Sequence, residues 1–242
     1  MQLLQGRPGG QALVVAGHIV PVLIGAVRGV QNVGAHEGET AEALHSAHLP
    51  HTRCLSIEPN PEAFDNLMSN SQNLKNNNFE IEYLRSAVGS EVGTKSFLLT
   101  DQSVVAGLLE PFSGVSARVP TGDHEVVQRF EVDVTTIDTL ISNLFFTHID
   151  LLKIDTEGFD LEVLKGAIDA LRNNKISVVL CETFFVNYRK DQCFFWDIAS
   201  FLHEFEYFFV GLYDTRQTSQ GRLYTGNGIW VSSLVGKSLG FL

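Results

Sequence analysis

Two nearly continuous apolar runs, separated by an amphipathic stretch, constrain the fold of this chain more than any other feature. The runs cover residues 149–154 and 176–180. Runs with little alternation of polar and apolar residues are typical of strands buried on both faces, as in a parallel sheet covered by helices. Between them, apolar residues recur at helical spacing, which predicts a connecting helix. These residues are Val163, Leu164, Ala167, Ile168 and Leu171.

The same alternation of short β-rich runs and helical patterns begins near residue 30 and continues to the last two β runs, at 207–212 and 228–232. A hairpin can join that last pair. The pattern predicts a doubly wound, Rossmann-like α/β fold with a mostly parallel seven-stranded sheet that ends in an antiparallel hairpin. A length of 242 residues suits one such domain. We assign it to residues 30–242 and treat residues 1–29 as an atypical N-terminal extension.

The charge of the chain is unevenly distributed. Residues 1–30 contain no acid, whereas the whole chain carries a net charge of −11 without a block of Lys or Arg. A nucleic-acid backbone or an anionic membrane needs a basic surface, so neither is expected as the main partner. The apolar run 12–27 contains Gly and Pro interruptions that disfavour a spanning helix and stable membrane insertion; a secretory signal is the alternative. We predict a cytoplasmic protein.

The cysteines and histidines give no metal-binding pattern. Cys54, Cys181 and Cys193 are too far apart in sequence for zinc-ligand spacing and are odd in number. The sequence therefore predicts neither a metal site nor a disulfide framework, and it does not reveal the oligomeric state.

A glycine-containing loop lies between the first predicted strand of the domain and the next helix. It runs from Gly34 to Gly38, and Glu58 closes the following strand twenty residues later. At that distance a carboxylate reaches ribose hydroxyls in nucleotide-binding α/β units. The motif G-x-G-x-x-G is absent, which disfavours a nucleotide-dependent oxidoreductase. The alternative is that the two glycines serve only the turn.

Two carboxylates follow the clearest buried strand. Asp155 and Glu157 come directly after the run 149–154, and residues two apart on an extended chain point the same way. Ligands bind at the carboxyl ends of parallel strands, so both are catalytic candidates. The alternative is that Glu157 caps the next helix and Asp155 makes a structural hydrogen bond near its N-terminus. Glu182 is a weaker candidate on the same edge.

Several segments together resemble the FkbM-type methyltransferases, class I enzymes that use S-adenosyl-L-methionine. The similarity runs from about residue 33 to residue 232, and its most specific motifs are Glu-Pro-Asn-Pro at 58–61 and Lys-Ile-Asp-Thr-Glu-Gly at 153–158. The segments are residues 33–40, 57–64, 86–89, 151–158 and 164–167.

The resemblance implies a role for each matching position. The loop residues would surround the methionine end of the cofactor, Glu58 would accept hydrogen bonds from the ribose, and Asn60 would shape that pocket. Ser86 and Ala87 would lie near the adenine. Asn32 and His36 stand where the family usually has Asp and Asn, and Arg28 and Gly29 interrupt the strand before them. The cofactor-binding candidates are Asn32, Gly34, Ala35, His36, Gly38, Glu58, Asn60, Ser86 and Ala87.

The resemblance also implies the reaction, namely O-methylation of a sugar, lipid or natural-product hydroxyl. Such a transfer needs alignment of the acceptor oxygen and a base for its proton, and Asp155 or Glu157 would supply that base. The acceptor is therefore expected to be a small molecule, a glycan or a lipid. A non-catalytic protein that retains the fold as a binding or scaffold module is the alternative, suggested by Asn32, His36 and the unusual first thirty residues.

An aromatic concentration near the C-terminal end is predicted to be core, with an apolar substrate pocket as the alternative. It comprises Phe194, Phe195, Trp196, Phe201, Phe205, Phe208 and Phe209.

Overall fold

The computed structural model describes residues 13–15, 18–20, 29–46, 51–74, 79–101, 106–111, 124–143, 146–238 and 240. Most of the predicted extension 1–29 lies outside these residues. Within it, strands β1 (Leu13–Val15) and β2 (His18–Val20) pair antiparallel.

A seven-stranded sheet forms the centre of the domain. Its members, in chain order, are β3 (Gly29–Val33), β4 (Thr52–Ile57), β5 (Phe79–Leu84), β9 (Ile149–Ile154), β10 (Ile176–Phe184), β11 (Tyr207–Gln217) and β12 (Leu223–Ser232). The spatial order is β11-β12-β10-β9-β3-β4-β5. Strands β5, β4, β3, β9 and β10 are parallel, and β12 pairs antiparallel with both β10 and β11. The predicted sheet and its terminal hairpin are confirmed.

Helices connect these strands and cover both faces of the sheet. They are α1 (Glu39–Ser46), α2 (Pro61–Ser71), α3 (Ile137–Asn143), α4 (Asp160–Lys165), α5 (Ile168–Arg172), α6 (Phe195–Glu204) and α7 (Ser233–Ser238). Within the described residues, no helix is long and apolar enough to cross a membrane.

Local sequence explains where α2 begins, and a tertiary contact explains where α4 ends. The Asn60 side chain accepts a hydrogen bond from the backbone N–H of Glu62, and Pro61 occupies the first helical position of α2. The single helix predicted after Gly158 is instead two short helices, α4 and α5. The first ends at Gly166, where a Cβ atom would overlap the carbonyl oxygen of Gly89.

The two faces of the sheet bury separate apolar clusters. On one face, residues such as Leu152 and Ile154 pack with residues of α3 to α6. On the other, residues such as Val30 and Leu151 pack with Ala41 and Leu44 of α1. All five residues of β3 are buried, and the Gly29 N–H donates to the Asp150 carboxylate at 2.8 Å. The strand therefore forms from Gly29 onward despite the interruption in its sequence.

A second, three-stranded sheet lies beside the main one. It consists of β6 (Ala87–Val88), β7 (Gly93–Thr100) and β8 (Val126–Thr135), in the order β6-β8-β7. Strands β7 and β8 have β-rich sequences like those of the main sheet, but β8 pairs with β7 and β6 instead. The long loop between β7 and β8 spans residues 101–125, most of which lie outside the described residues. Its segment 106–111 bridges to β7 through Gly107 and to Arg189 through Pro111.

Candidate active site

A cavity of about 480 Å³ lies at the carboxyl ends of β3, β4, β9 and β10. Phe97 of β7 and residues 106–108 of the long loop also line it. Ligands of open α/β sheets bind outside the carboxyl ends of the strands, and this volume falls within the usual range of small-molecule sites. The cavity is therefore the candidate active site.

Most of the residues singled out from the sequence meet in this cavity. Asn32 is fully buried inside β3, and its side-chain amide has no hydrogen-bond partner among the described residues. Ala35 and Gly38 also lie outside the cavity lining. The predicted residues that do line it are Gly34, His36, Glu58, Asn60, Ser86, Ala87, Asp155 and Glu157. The cofactor and catalytic roles of all these residues remain predictions.

The loop after β3 is held by its own backbone hydrogen bonds. The N–H groups of Gly34 and Ala35 both donate to the carbonyl oxygen of Ile57, at 3.1 and 3.0 Å, and that of Gly38 donates to Ala35. Gly34 has φ +73°, and a Cβ there would overlap the carbonyl oxygen of Asp155. Glycine is thus required for the close approach of two strand ends, while these three N–H groups already have acceptors within the protein.

Glu58 is fixed by two backbone donors at the rim of the cavity. Its Oε2 accepts from the N–H of His36 and its Oε1 from the N–H of Asn60, each at 2.9 Å. Burial raises the pKa of Glu58, and the two hydrogen bonds oppose that rise. Each oxygen of an ionised carboxylate has two lone pairs, so each retains one for a ligand hydroxyl.

His36 occupies a left-handed backbone conformation, with φ 45°. Its Nδ1 lies 3.5 Å from Oε1 of Glu39, and this contact is the main cause that raises the pKa of His36. Its Nε2 is buried and has no partner among the described residues. The side chain therefore presents one unsatisfied ring nitrogen within the lining of the cavity.

Asp155, Glu157 and Glu182 form a carboxylate cluster near the carboxyl ends of β9 and β10. One carboxylate oxygen from each lies within 4.8 Å of the others. From the sequence, Asp155 and Glu157 are expected to point the same way because they lie two apart on an extended chain. Glu157 instead has φ 55°, so the chain is not extended at this residue. Glu157 also does not cap α4, whose N-cap is Phe159. A turn, rather than a straight strand end, directs Glu157 toward Asp155.

Basic side chains hold two members of this cluster. Lys153 Nζ lies 3.1 Å from Asp155 Oδ2, and Arg189 Nη2 lies 3.4 Å from Glu157 Oε2. Burial raises the pKa of Glu157 to about 7, against the opposing attraction of Arg189. Burial and the neighbouring carboxylates also raise the pKa of Glu182 well above its ordinary range. The cluster therefore contains one carboxyl group, that of Glu157, able to bind and release a proton near neutral pH.

Among the described residues, these three carboxylates are close enough together to hold a metal ion. Oxygen ligands suit Mg²⁺ or Ca²⁺. Two of the three already form ion pairs, Asp155 with Lys153 and Glu157 with Arg189.

Comparison with known proteins identifies the family. The sequence profile of the methyltransferase FkbM domain matches residues 32–209. The chain belongs to the FkbM methyltransferase family. The resemblance drawn from its motifs is thereby confirmed.

Two relatives show how far the similarity of this FkbM-family chain extends. The hexuronic acid methyltransferase AglP of Haloferax volcanii is 30% identical over 126 residues, which are 51% of this chain and 45% of that protein. The crystal structure of methyltransferase FkbM from Methylobacillus flagellatus KT matches with a TM-score of 0.51 and 18% identity, over 84% of this chain and 43% of that one. The chain thus spans less than half the length of either relative. The class I methyltransferase fold is confirmed.

Three basic residues of the FkbM-family site were missed from the sequence. Lys153 lies in β9 beside the buried Leu152 and Ile154, and a buried lysine needs an anionic partner, so it carried a usable signal. Arg189 reaches Glu157 from the segment after β10, and Arg216 lines the cavity from β11. Neither has a local sequence pattern that points to the site, because both meet it only through the tertiary fold.

Proposed function

We propose that this chain transfers a methyl group from S-adenosyl-L-methionine to a hydroxyl oxygen of a sugar. The observation that carries the proposal is a single cavity in which Glu58 lies at one side and the Asp155–Glu157–Glu182 cluster at the other. Membership of a methyltransferase family supports the reaction. The name of the Haloferax volcanii relative, a hexuronic acid methyltransferase, supports a sugar as the acceptor.

The charges of the cavity fit this cofactor, which carries a sulfonium and an ammonium group. Arg216 is the one Lys or Arg among the described residues that line the cavity. The carboxylates that line it are Glu39, Glu58, Asp155, Glu157 and Glu182. Lys153 and Arg189 pair with Asp155 and Glu157 from outside the lining, and Glu39, Glu58 and Glu182 form no ion pair with a Lys or Arg among the described residues. An excess of carboxylates in a partly enclosed site attracts a cation. The free lone pairs of Glu58 suit the two ribose hydroxyls. Ser86 and Ala87, which the resemblance assigns to the adenine, line the same cavity.

When bound, the cofactor supplies a methyl group on a positively charged sulfur, which leaves as a neutral thioether. The chain has to orient the acceptor hydroxyl and take its proton as the new C–O bond forms. Glu157 suits the base, because a pKa of about 7 leaves it partly ionised at neutral pH while it still holds a transferred proton. Asp155, paired with Lys153, suits the role of orienting the hydroxyl.

Calorimetric titration with S-adenosylhomocysteine tests the cofactor assignment. We expect the wild-type chain to bind it and Glu58→Gln to bind roughly tenfold or more weakly, since a hydrogen bond to a charged group contributes about 1.5–3 kcal/mol. Glu91→Gln is the matched control, because Glu91 is exposed and outside the cavity lining. Absence of binding by the wild type, or equal loss in both variants, would reject the assignment.

Methyl transfer is tested by incubating the protein with uronic acid acceptors and with cofactor that carries a label in its methyl group. We expect label in the acceptor with the wild type and a large loss with Glu157→Gln. Cofactor binding without transfer to any acceptor would favour the non-catalytic alternative, for which the buried, unpartnered amide of Asn32 is the supporting observation.

A further inference from the structure

A second cavity, of about 340 Å³, lies beyond the end of β10 and beside the turn between β11 and β12. Phe185, Phe194 and Trp196 line one side, and the turn residues 218–220 and Arg222 line the other. None of these residues belongs to the carboxylate cavity. The residues proposed to bind the cofactor and to act as the base are therefore not part of this second cavity.

The aromatic side of this second cavity consists of stacked rings, one of which is largely exposed. The rings of Phe194 and Trp196 are nearly parallel, with centroids 5.0 Å apart, and Phe185 meets Trp196 edge-on at 6.5 Å. Trp196 is nonetheless 51% exposed, whereas the other tryptophan of the chain, Trp230, is 1% exposed. A large, rigid aromatic surface of this kind stacks against the C–H face of a pyranose ring, which buries apolar area without hydrogen-bonding demands.

The polar side carries a single positive charge. Arg222 is the one charged residue among the described residues that line this cavity, and the rest of that side offers hydroxyl and amide groups. Within the described part of the chain, the Arg222 guanidinium makes no ion pair with a carboxylate. A guanidinium binds a carboxylate through two parallel hydrogen bonds. In a chain of net charge −11, a cationic pocket free of carboxylates favours an anionic ligand.

The two cavities are neighbours along two strands. Arg216 of β11 lines the first cavity, and Thr218, just after that strand, lines the second. Glu182 of β10 lines the first cavity, and Phe185, directly after β10, lines the second. Two to three residues of extended chain span roughly 7–10 Å. An acceptor made of linked sugars can therefore occupy both cavities.

We propose that the second cavity binds a uronic acid residue of the acceptor glycan, next to the sugar that is methylated. Trp196 stacks on its ring and Arg222 binds its carboxylate. This inference rests on the proposed function, because it names the class of acceptor for that reaction as an acidic oligosaccharide.

Tryptophan fluorescence tests the proposal, since Trp196 is exposed and Trp230 is buried. The probe is an α-1,4-linked trisaccharide of galacturonic acid, titrated in the presence of S-adenosylhomocysteine. We expect a saturable change in emission that is lost in Trp196→Phe. We expect Arg222→Gln to weaken binding tenfold or more, as for a lost charge-assisted pair. Arg172→Gln is the matched control, because Arg172 is an exposed arginine on α5 that pairs only within its own helix.

Two further probes identify what the cavity recognises. The galactose trisaccharide of the same linkage should bind at least tenfold more weakly than the galacturonate, and a triglutamate peptide should not compete. Equal binding of the neutral sugar would overturn the assignment of a uronic acid, and competition by the peptide would overturn the assignment of a sugar.

The failure of this inference is distinguishable from failure of the proposed function. A wild-type chain that binds S-adenosylhomocysteine but shows no saturable response to the galacturonate would overturn the inference alone. Circular dichroism of Trp196→Phe and Arg222→Gln shows whether the variants are folded, and equal affinity loss in Arg222→Gln and Arg172→Gln would likewise overturn it.

Discussion

Asp160, the first residue of α4, is a buried carboxylate whose removal should stabilise the protein in a pH-dependent way. Its side chain is fully buried; Oδ2 accepts a hydrogen bond from the Thr156 hydroxyl at 3.0 Å, and Oδ1 has no partner among the described residues. Burial, followed by the charge of Asp155, raises its pKa from 3.8 to about 7. The variant Asp160→Asn keeps the shape of the side chain and the acceptor for Thr156 but removes the charge.

The sign of the effect follows from proton binding. Between about pH 4 and pH 7 the folded state retains the proton of Asp160 while the unfolded state loses it, so the stability of the wild type falls as pH rises through this window and is constant above it. Roughly 3 units of pKa correspond to at most about 4 kcal/mol above pH 7. Asp160→Asn has no carboxyl group at this position, so its stability does not fall with pH for this reason. We expect it to match the wild type at pH 4 and to be more stable at pH 8, with a Tm higher on the order of 10 °C.

Thermal unfolding at pH 4, 6 and 8 measures this difference directly. Asp169→Asn is the matched control, because Asp169 is an exposed carboxylate on α5 and its pair with Arg172 contributes little. The reasoning would be refuted if Asp160→Asn changed stability equally at all three pH values, or lowered it at pH 8.

Three further outcomes are expected. Arg189→Gln removes the cation beside Glu157 and should raise the pKa of Glu157 further. The acid limb of the pH profile of kcat/KM should then move upward by roughly one pH unit. An acid limb that does not move would exclude Glu157 as the base. Gly34→Ala should destabilise the fold by more than about 2 kcal/mol in chemical denaturation because of its positive φ and lack of space, whereas Gly93→Ala, with open space, should have little effect. Thr136→Ala removes the hydroxyl that accepts the Thr139 N–H at the start of α3 and should lower unfolding free energy by about 1 kcal/mol.

The order of strands and helices was predictable because it depends on local patterns. The apolar runs that became β9 and β10 are buried on both faces. Asn60 and Pro61 are residue types that favour the start of a helix, and α2 begins there. The break between α4 and α5 was not predictable, since it depends on how closely Gly166 approaches a carbonyl group distant in the sequence. The separate three-stranded sheet was missed for the same reason: β7 and β8 have ordinary strand patterns, and only tertiary packing decides which sheet they join.

The site was predictable to the extent that it lies at strand ends. Glu58, Asp155 and Glu157 were found because the carboxyl ends of parallel strands meet at one edge of the sheet. Their electrostatic partners were not found, because Arg189 and Arg216 approach from distant segments. The geometry of Glu157 was also unpredictable, since its left-handed conformation is a property of the turn and not of the strand pattern.

The burial of several carboxylates at one edge of the sheet argues that this edge is under functional constraint. Burying a charged group destabilises a fold unless it is paired, and here the pKa values of Glu58, Glu157 and Glu182 are all raised by burial. Arg189 pairs with Glu157 and two backbone N–H groups bind Glu58, but among the described residues Glu182 forms no ion pair and accepts a hydrogen bond from the Thr225 hydroxyl. A cation bound among them would favour their ionised forms and offset that cost. The proposed function assigns these carboxylates to a positively charged cofactor, whereas the positive charge of Arg222 lies in the neighbouring cavity.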